Sequence, residues 1–595
     1  MSSVDLTSST PQPEGTSPAT SPSPTTSPLT AAATNLPDAV LEIARSDPYR
    51  LASIEVPMLT IGRPKIRTTT YATLSHRAES VAVGLREIGV HEGTLCSFMV
   101  PPGEDAMVLA LALMRVGATM VGIEPHSHGL RNIARSLRRV GPEFFFGSPE
   151  AHLARKVFGW GAPSVHTGIV VGPRKVPGAL TLVDLERPWL GQPSAPPTDP
   201  DAPTLIAFTT GSTGSPKPTV MTQRNFAAMI AGVSRQWDLP ALGEVIDMPT
   251  FPIFWIIGLS QGGTVVVPPM NFATRGPGDA NPARLVDTIR RFEVHSMFAS
   301  PALLTRLARY CNERQLTLPS IRRIVAGGAE IQGPLFAEVK RVIPCGELYS
   351  NYGATEALPV AEIDGATVLA ETWPRTERGQ GVCVGTPLAG VEVRIVAIED
   401  GPLATMGDAQ LLGPNQIGEV VVRSPHVSDR YYEAPDDMAA NKIVDGDTRW
   451  HRLGDCGFLD EDGRLWVCGR TSHRVVGADR TWFALCCEPV FNTHPAVART
   501  ALIHLRDPNS SAAPVPAVCV EVTPSTSIDS DRLVGELREM ADVHEATRGI
   551  ERFIVVDKLP VDRRHNAKID RPALSAKYSA LDAASPAPPA SVASS

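Results

Sequence analysis

The chain has 595 residues, 43% of them hydrophobic and 20% charged, with a formal net charge of −8. That length allows a large buried core in more than one domain, and the acidic balance excludes a protein that grips nucleic acid through an overall basic surface. Nine scattered cysteines form no CxxC pair, and Cys486 and Cys487 are direct neighbours, so neither a zinc site nor a disulfide framework is expected.

Residues 1–36 are a Ser/Thr/Pro-rich stretch with no basic n-region and no apolar h-region, which reads as a disordered tail rather than a secretory signal. Residues 579–595 read the same way. Globular composition begins after the first tail. "YATLSHRAESVAVGLREIGV" has the apolar spacing of a helix ending at Gly89, and "GTLCSFMVPPGEDAMVLALALMRVGATMVGI" reads as strand, loop, helix, strand. "PEFFFGSPEAHLARKV" opens in the same style. Strands alternating with helices predict parallel sheets covered by helices on both faces.

Next comes "TLIAF", a buried strand, followed by the Gly/Ser/Thr-rich loop "TTGSTGSPKP". Thr222 is a fair N-cap for the helix "QRNFAAMIAGVSRQW", so the expectation is strand, glycine turn, helix, a context in which backbone N–H groups converge on an anion. The Walker A pattern does not fit, because Gly214 is followed by Ser215 and Pro216, and Lys217 by Pro218. The apolar run Phe251–Leu259 is far short of the roughly 20 residues of a membrane helix, so no integral membrane segment and a cytoplasmic location are expected. After Gly381 the texture changes to short strands, "VEVRIV", "GEVVVRS" and "GRLWVCG". Beyond Gly469, "ARTALIHL", "PAVCVEVTP", "SDRLVGELREMA" and "RFIVVDKL" alternate as a small α+β unit. The predicted fold class is therefore α/β: a large N-terminal α/β domain over 37–470 with parallel sheets and a β-rich subdomain, plus a small α+β C-terminal domain over 471–578.

Five motifs, in order, resemble those of the adenylate-forming superfamily of acyl-CoA synthetases, luciferases and adenylation domains. They are the loop above, "VAGGAEI" (325–331), "YSNYGATEA" (349–357), "WHRLGDCGFLDEDGRLWVCGR" (450–470) and "RRHNAKIDRPAL" (563–574). The resemblance implies that a carboxylate attacks the α-phosphate of ATP with Mg²⁺ present, giving an acyl-adenylate. It also implies a C-terminal lid that moves between half-reactions, with its hinge near Ser472.

Carried over residue by residue, Thr209, Gly211, Ser212, Thr213 and Gly214 cradle the β- and γ-phosphates, with Lys217 as a mobile positive charge. Gly328 and Ala329 lie along adenine, and Tyr352, followed by Gly353, stacks on it. Thr355 reaches the α-phosphate and Glu356 holds Mg²⁺. Asp455 and Arg470 bind the ribose, and Lys568 bridges the carboxylate and the α-phosphate.

Within the superfamily the chain departs from common patterns. Trp255 in "FPIFWIIG" stands where many members have histidine, His473 stands in the hinge "GRTSHRVV", and "HNAKI" and Pro218 replace more usual residues. These features are similar to the olefin β-lactone synthetases, which adenylate a long-chain 2-alkyl-3-hydroxy acid and let its own hydroxyl expel AMP. On that resemblance the substrate is a long-chain β-hydroxy acid, Phe254 and Trp255 line an acyl pocket, and His473 is a candidate base for the hydroxyl proton. The resemblance also implies partner enzymes that make the hydroxy acid and decarboxylate the lactone. The alternatives are a long-chain fatty acyl-CoA or acyl-AMP ligase, sharing every nucleotide residue, and a non-catalytic nucleotide- or acyl-binding homologue.

Overall fold

The computed structural model describes residues 35–57, 66–123, 129–191, 199–209, 216–237, 244–272, 276–506, 513–524, 526, 528–561 and 569–584. Gly211, Ser212, Thr213, Gly214 and Lys568 lie outside these described residues, as do 1–34 and 585–595, whereas residues 579–584, expected as tail, continue the helix Arg571–Ala584, with Ser579 Oγ accepting from the Arg506 N–H at 3.0 Å.

Two sheets dominate. In the first, Leu180–Thr181, Thr167–Val170, Phe144–Gly147, Leu95–Met99, Thr119–Gly122 and Pro203–Thr209 run parallel, and Lys217–Thr222 closes the edge antiparallel to its neighbour. In the second, the parallel neighbours Ser296–Ala299, Arg323–Ala326 and Glu347–Ala354 lead into the antiparallel strand Ala357–Asp364. That strand pairs with Val382–Pro387, which pairs with Leu465–Arg470. The β-rich region is thus a continuation of the parallel sheet.

The helices Tyr71–Glu87 and Glu104–Val116 are packed between the sheets. One core cluster joins them to Cys96, Met120 and Phe144 on one side and to Val265, Phe298 and Val325 on the other. Glu104–Val116 is apolar nearly all round, which only a helix covered on every face can sustain. The C-terminal unit is a sheet of Val497–Leu505, Val515–Val522 and Arg552–Val556 with helices Ala484–Asn492, Ser530–Val543 and Arg571–Ala584, the predicted α+β pattern. All nine cysteines are free and all but Cys345 are buried. No helix among the described residues is long and apolar enough to cross a membrane.

One expectation is corrected. The glycine loop does not run from a strand straight into a helix: Lys217–Thr222 is itself a strand, paired with Pro203–Thr209, and the helix Gln223–Trp237 starts only after it. The reason is local. "KPTVMT" carries proline and β-branched residues that favour an extended edge strand. Thr222 and Asn225 do cap the helix, with the Asn225 N–H donating to Thr222 Oγ1 at 3.1 Å and the Thr222 N–H to Asn225 Oδ1 at 3.0 Å. The loop is a hairpin connection, so the field of that helix N-terminus is a whole strand away from any anion it holds.

Candidate active site

The signature segment is a tight hairpin. Glu347–Ala354 pairs antiparallel with Ala357–Asp364 through the two turn residues Thr355 and Glu356. Gly353 belongs there because a Cβ at that position would sit 2.3 Å from the Ala357 carbonyl oxygen. The turn leaves Thr355 exposed and sends Glu356 inward. The Glu356 carboxylate accepts hydrogen bonds from Thr219 Oγ1 at 3.2 Å and from the Tyr431 hydroxyl at 3.1 Å. Thr219 lies on the strand that leaves the glycine loop, and the chain at Arg430–Tyr432 clamps that strand through backbone hydrogen bonds to Pro218 and Val220. Loop exit and hairpin turn are therefore held together by one buried acid.

Two lysines flank it. Thr209 and Lys217 face each other across the mouth of the loop. Lys217 Nζ donates to Asn441 Oδ1 at 2.9 Å and stands 6.0 Å from the Tyr431 ring centre. Lys442, which the sequence reading missed, is buried, donates to the Ser428 carbonyl and lies 5.3 Å from the same ring. Burial lowers its pKa to about 8, against the pull of Glu356 and Asp429, with Lys217 and Arg449 adding to the lowering. His451 sits behind it, buried and kept neutral by burial and by Lys442, with Nδ1 3.2 Å from the Asn441 carbonyl. A single lysine in "NKIVDG" carries no motif, and only the fold reveals its position. Tyr431 and Thr219 were equally silent.

The second constellation is built from the strand that enters the turn and from the strands Thr448–Leu459 and Leu465–Arg470. The Tyr352 hydroxyl donates to Asp455 Oδ2 at 2.7 Å, and Arg470 Nε is 3.2 Å from Asp455 Oδ1. Asp455 and Arg470 are direct partners across adjacent strands, so register alone sets their pairing. Arg470 also donates to the Leu453 carbonyl at 2.8 Å. Asp455, then Tyr352 and Glu356, strengthen the hold of Arg470 on its proton, while burial and Asp455 push the Tyr352 hydroxyl well above its ordinary range. The result is a hydroxyl donor and a guanidinium held on the two oxygens of one carboxyl group. Gly328 and Ala329 follow the strand Arg323–Ala326. Gly328 adopts φ +90° and Gly327 packs against the Asn351 carbonyl, so this segment lies on the hairpin.

His473 ends a short 3₁₀ turn after Arg470, half-buried. Burial, then Arg571 and Arg470, lower its pKa to about 4. The ordinary value that recommended it as a base is not its value here: the ring is neutral at pH 7 but a weak proton acceptor.

The expected apolar pocket is divided. Phe254 stacks on Phe298 with ring centres 3.8 Å apart and lines a cavity of about 10 Å³, together with Met229, Val233, Trp237 and Asn351. Trp255 does not line it; its side chain is packed into the main core. The cavity holds roughly one water-sized group, and an alkyl chain requires these side chains to move apart.

Among the described residues no three acids, histidines or cysteines converge as a metal site. Glu356 alone suits a hard cation that takes most of its ligands from phosphate and water.

A family model described as AMP-binding enzyme matches residues 44–432. The chain is 39% identical over 520 residues to an olefin beta-lactone synthetase of Stenotrophomonas maltophilia, the alignment covering 86% of this chain and 92% of that protein. A second protein of that description, from Xanthomonas campestris pv. campestris, is 37% identical over 512 residues, with 85% and 90% covered. The fold is similar to that of an amide bond synthetase from Marinactinospora thermotolerans, with a TM-score of 0.73 at 22% identity over 91% of this chain and 99% of that one. It is also similar to ATP-bound MatB from Rhodopseudomonas palustris, with a TM-score of 0.73 at 20% identity over 92% and 100%.

Proposed function

This chain belongs to the AMP-binding enzyme family, the adenylate-forming ligases, and we propose that it makes a β-lactone from a long-chain 2-alkyl-3-hydroxy acid and ATP. In the first half-reaction a carboxylate oxygen attacks the α-phosphorus and pyrophosphate leaves. In the second the substrate's 3-hydroxyl oxygen attacks the acyl carbon, its proton passes to solvent or a base, and AMP leaves. Tethering the nucleophile to the electrophile offsets part of the ring strain.

The observation that carries adenylation is the pairing of Asp455 with both Tyr352 and Arg470 beside the buried Glu356. A carboxylate fixed from both sides suits the vicinal hydroxyls of a ribose, and Glu356 with Lys217 suits the phosphates and Mg²⁺, whose charge would offset that of the leaving pyrophosphate. Thr209, the loop residues Gly211, Ser212, Thr213 and Gly214, and Lys568 belong to the same reading, as do Gly328, Ala329 and Thr355. Lactone closure rests on the similarity to the two olefin beta-lactone synthetases. A cytoplasmic location, a lid that moves about Ser472 and a complex with neighbouring pathway enzymes are parts of the same proposal.

The test is product identity. Purified protein with ATP, Mg²⁺ and a 2-alkyl-3-hydroxy acid is expected to yield a product one water lighter than the acid, with lactone ring protons and no need for coenzyme A. A thioester formed only with coenzyme A would replace the second step by that of an acyl-CoA ligase. Absence of pyrophosphate release, with Lys568→Ala as control, would leave a non-catalytic homologue.

A further inference from the structure

Asn351 stands one residue before Tyr352, and successive residues of a strand point to opposite faces. Tyr352 serves the Asp455 constellation, while Asn351 lines the apolar cavity on the other face. Asn351 is only 6% exposed. Its Nδ2 donates to Glu362 Oε2 at 3.3 Å, and Glu362 is itself held by Arg323 at 2.7 Å and by Trp237 Nε1 at 2.9 Å. Arg323 in turn lies 3.9 Å from the Tyr349 ring centre and 5.1 Å from that of Trp237.

Glu362 Oε2 accepts from the Asn351 amide NH₂, which leaves the carboxamide oxygen turned away from it. That oxygen, Asn351 Oδ1, is buried and has no hydrogen-bond partner among the described residues. Buried acceptors are ordinarily satisfied. The cavity beside it is otherwise lined by apolar and aromatic residues, among them Met229, Trp237, Phe254, Phe298 and Leu358, and has room for about one water-sized group. A hydroxyl is the smallest substrate group that both fits and donates.

We infer that Asn351 Oδ1 accepts a hydrogen bond from the hydroxyl of the bound acid, making Asn351 the residue that selects 3-hydroxy acids over plain fatty acids. The inference rests on the function proposed above and names the substrate feature that its acyl site reads. Asn351 takes no proton. It holds the O–H on the acyl side of the site, and the Arg323–Glu362 pair is the fixed support that keeps the amide from flipping. A site built to bond a hydroxyl leaves its own polar atom unpaired when the hydroxyl is missing, which is what gives such sites their discrimination.

The experiment compares a 2-alkyl-3-hydroxy acid with its 3-deoxy twin in pyrophosphate release, for wild type, Asn351→Leu and Asn351→Ala. Wild type is expected to favour the hydroxy acid in kcat/KM by at least about tenfold. In both variants that ratio is expected to fall close to one, mainly through loss of the hydroxy acid. Binding of non-reactive acyl-sulfamoyl adenosines with and without the 3-hydroxyl, measured by calorimetry, gives the same ratio without turnover.

A wild type indifferent to the hydroxyl overturns the inference, and so does a variant that slows both acids equally. Hydroxyl preference without lactone would leave Asn351's role intact and refute only the second step. If neither acid is adenylated and neither analogue binds, both readings fall.

Discussion

Replacing Tyr352 by Phe tests whether Asp455 reads a nucleotide. The ring and its packing remain, and only the hydroxyl that donates to Asp455 Oδ2 at 2.7 Å is lost. Asp455 keeps Arg470 at 3.2 Å on its other oxygen, but the end that Tyr352 held is free to turn. Its side chain is 13% exposed, and little water can replace the missing donor. A hydrogen bond to a charged group contributes about 1.5–3 kcal/mol, or roughly 10- to 150-fold in an equilibrium constant. If the tyrosine hydroxyl pre-orients Asp455 for the ribose, that factor falls on nucleotide binding. Steady-state pyrophosphate release with ATP varied and acid saturating is expected to show the ATP KM raised about 10- to 100-fold, with kcat and the acid KM nearly unchanged. An unaltered ATP KM would refute the assignment, and an equal rise in the acid KM would place the effect on the whole pocket. Because burial and Asp455 keep the tyrosine protonated, wild-type ATP KM is expected to show no inflection from this group between pH 7 and 9.

Three further outcomes are expected. Glu356→Gln keeps an acceptor for Thr219 and Tyr431 but removes the charge, so pyrophosphate release should fall on the order of 100-fold, with a raised Mg²⁺ requirement and a melting temperature close to wild type. Lys442, with a pKa of about 8, should produce an alkaline fall in adenylation rate near that pH; Lys442→Met should be about tenfold or more slower at pH 7 and lack the limb, and persistence of the limb would assign it elsewhere. Burial raises the Asp247 carboxyl from 3.8 to about 7 against the hydrogen bond of Ser296. The folded state then binds more protons than the unfolded one between those values, so the group's contribution falls as pH rises through the window, by up to about 4 kcal/mol. Asp247→Asn should therefore stabilise more at pH 8.5 than at pH 5, and a constant offset across that range in thermal melts would contradict the burial argument.

Much of the molecule was legible in the chain because its elements obey local rules. The helix ending at Gly89, the strands "TLIAF" and "VEVRIV" and the α+β tail of the protein follow from apolar period and glycine stops, which act within a turn or two of chain. The ordered motifs likewise singled out Tyr352, Asp455 and Arg470, which the fold joins through one carboxylate, and Glu356, which it buries in the hairpin turn. The glycine loop shows where this ends: strand and helix were both expected, but the edge strand between them depends on pairing with Pro203–Thr209, and pairing is not a local property.

Tertiary structure alone brought Lys442 to the Tyr431 ring beside Glu356, separated Phe254 from Trp255, and lowered the pKa of His473. It alone left Asn351 with an oxygen that no described residue pairs, since that depends on Glu362, Arg323 and Trp237 arriving from three other elements. The division has one physical cause. Period, caps and turns are energies between neighbours in sequence, whereas burial, charge and hydrogen-bond satisfaction are sums over neighbours in space.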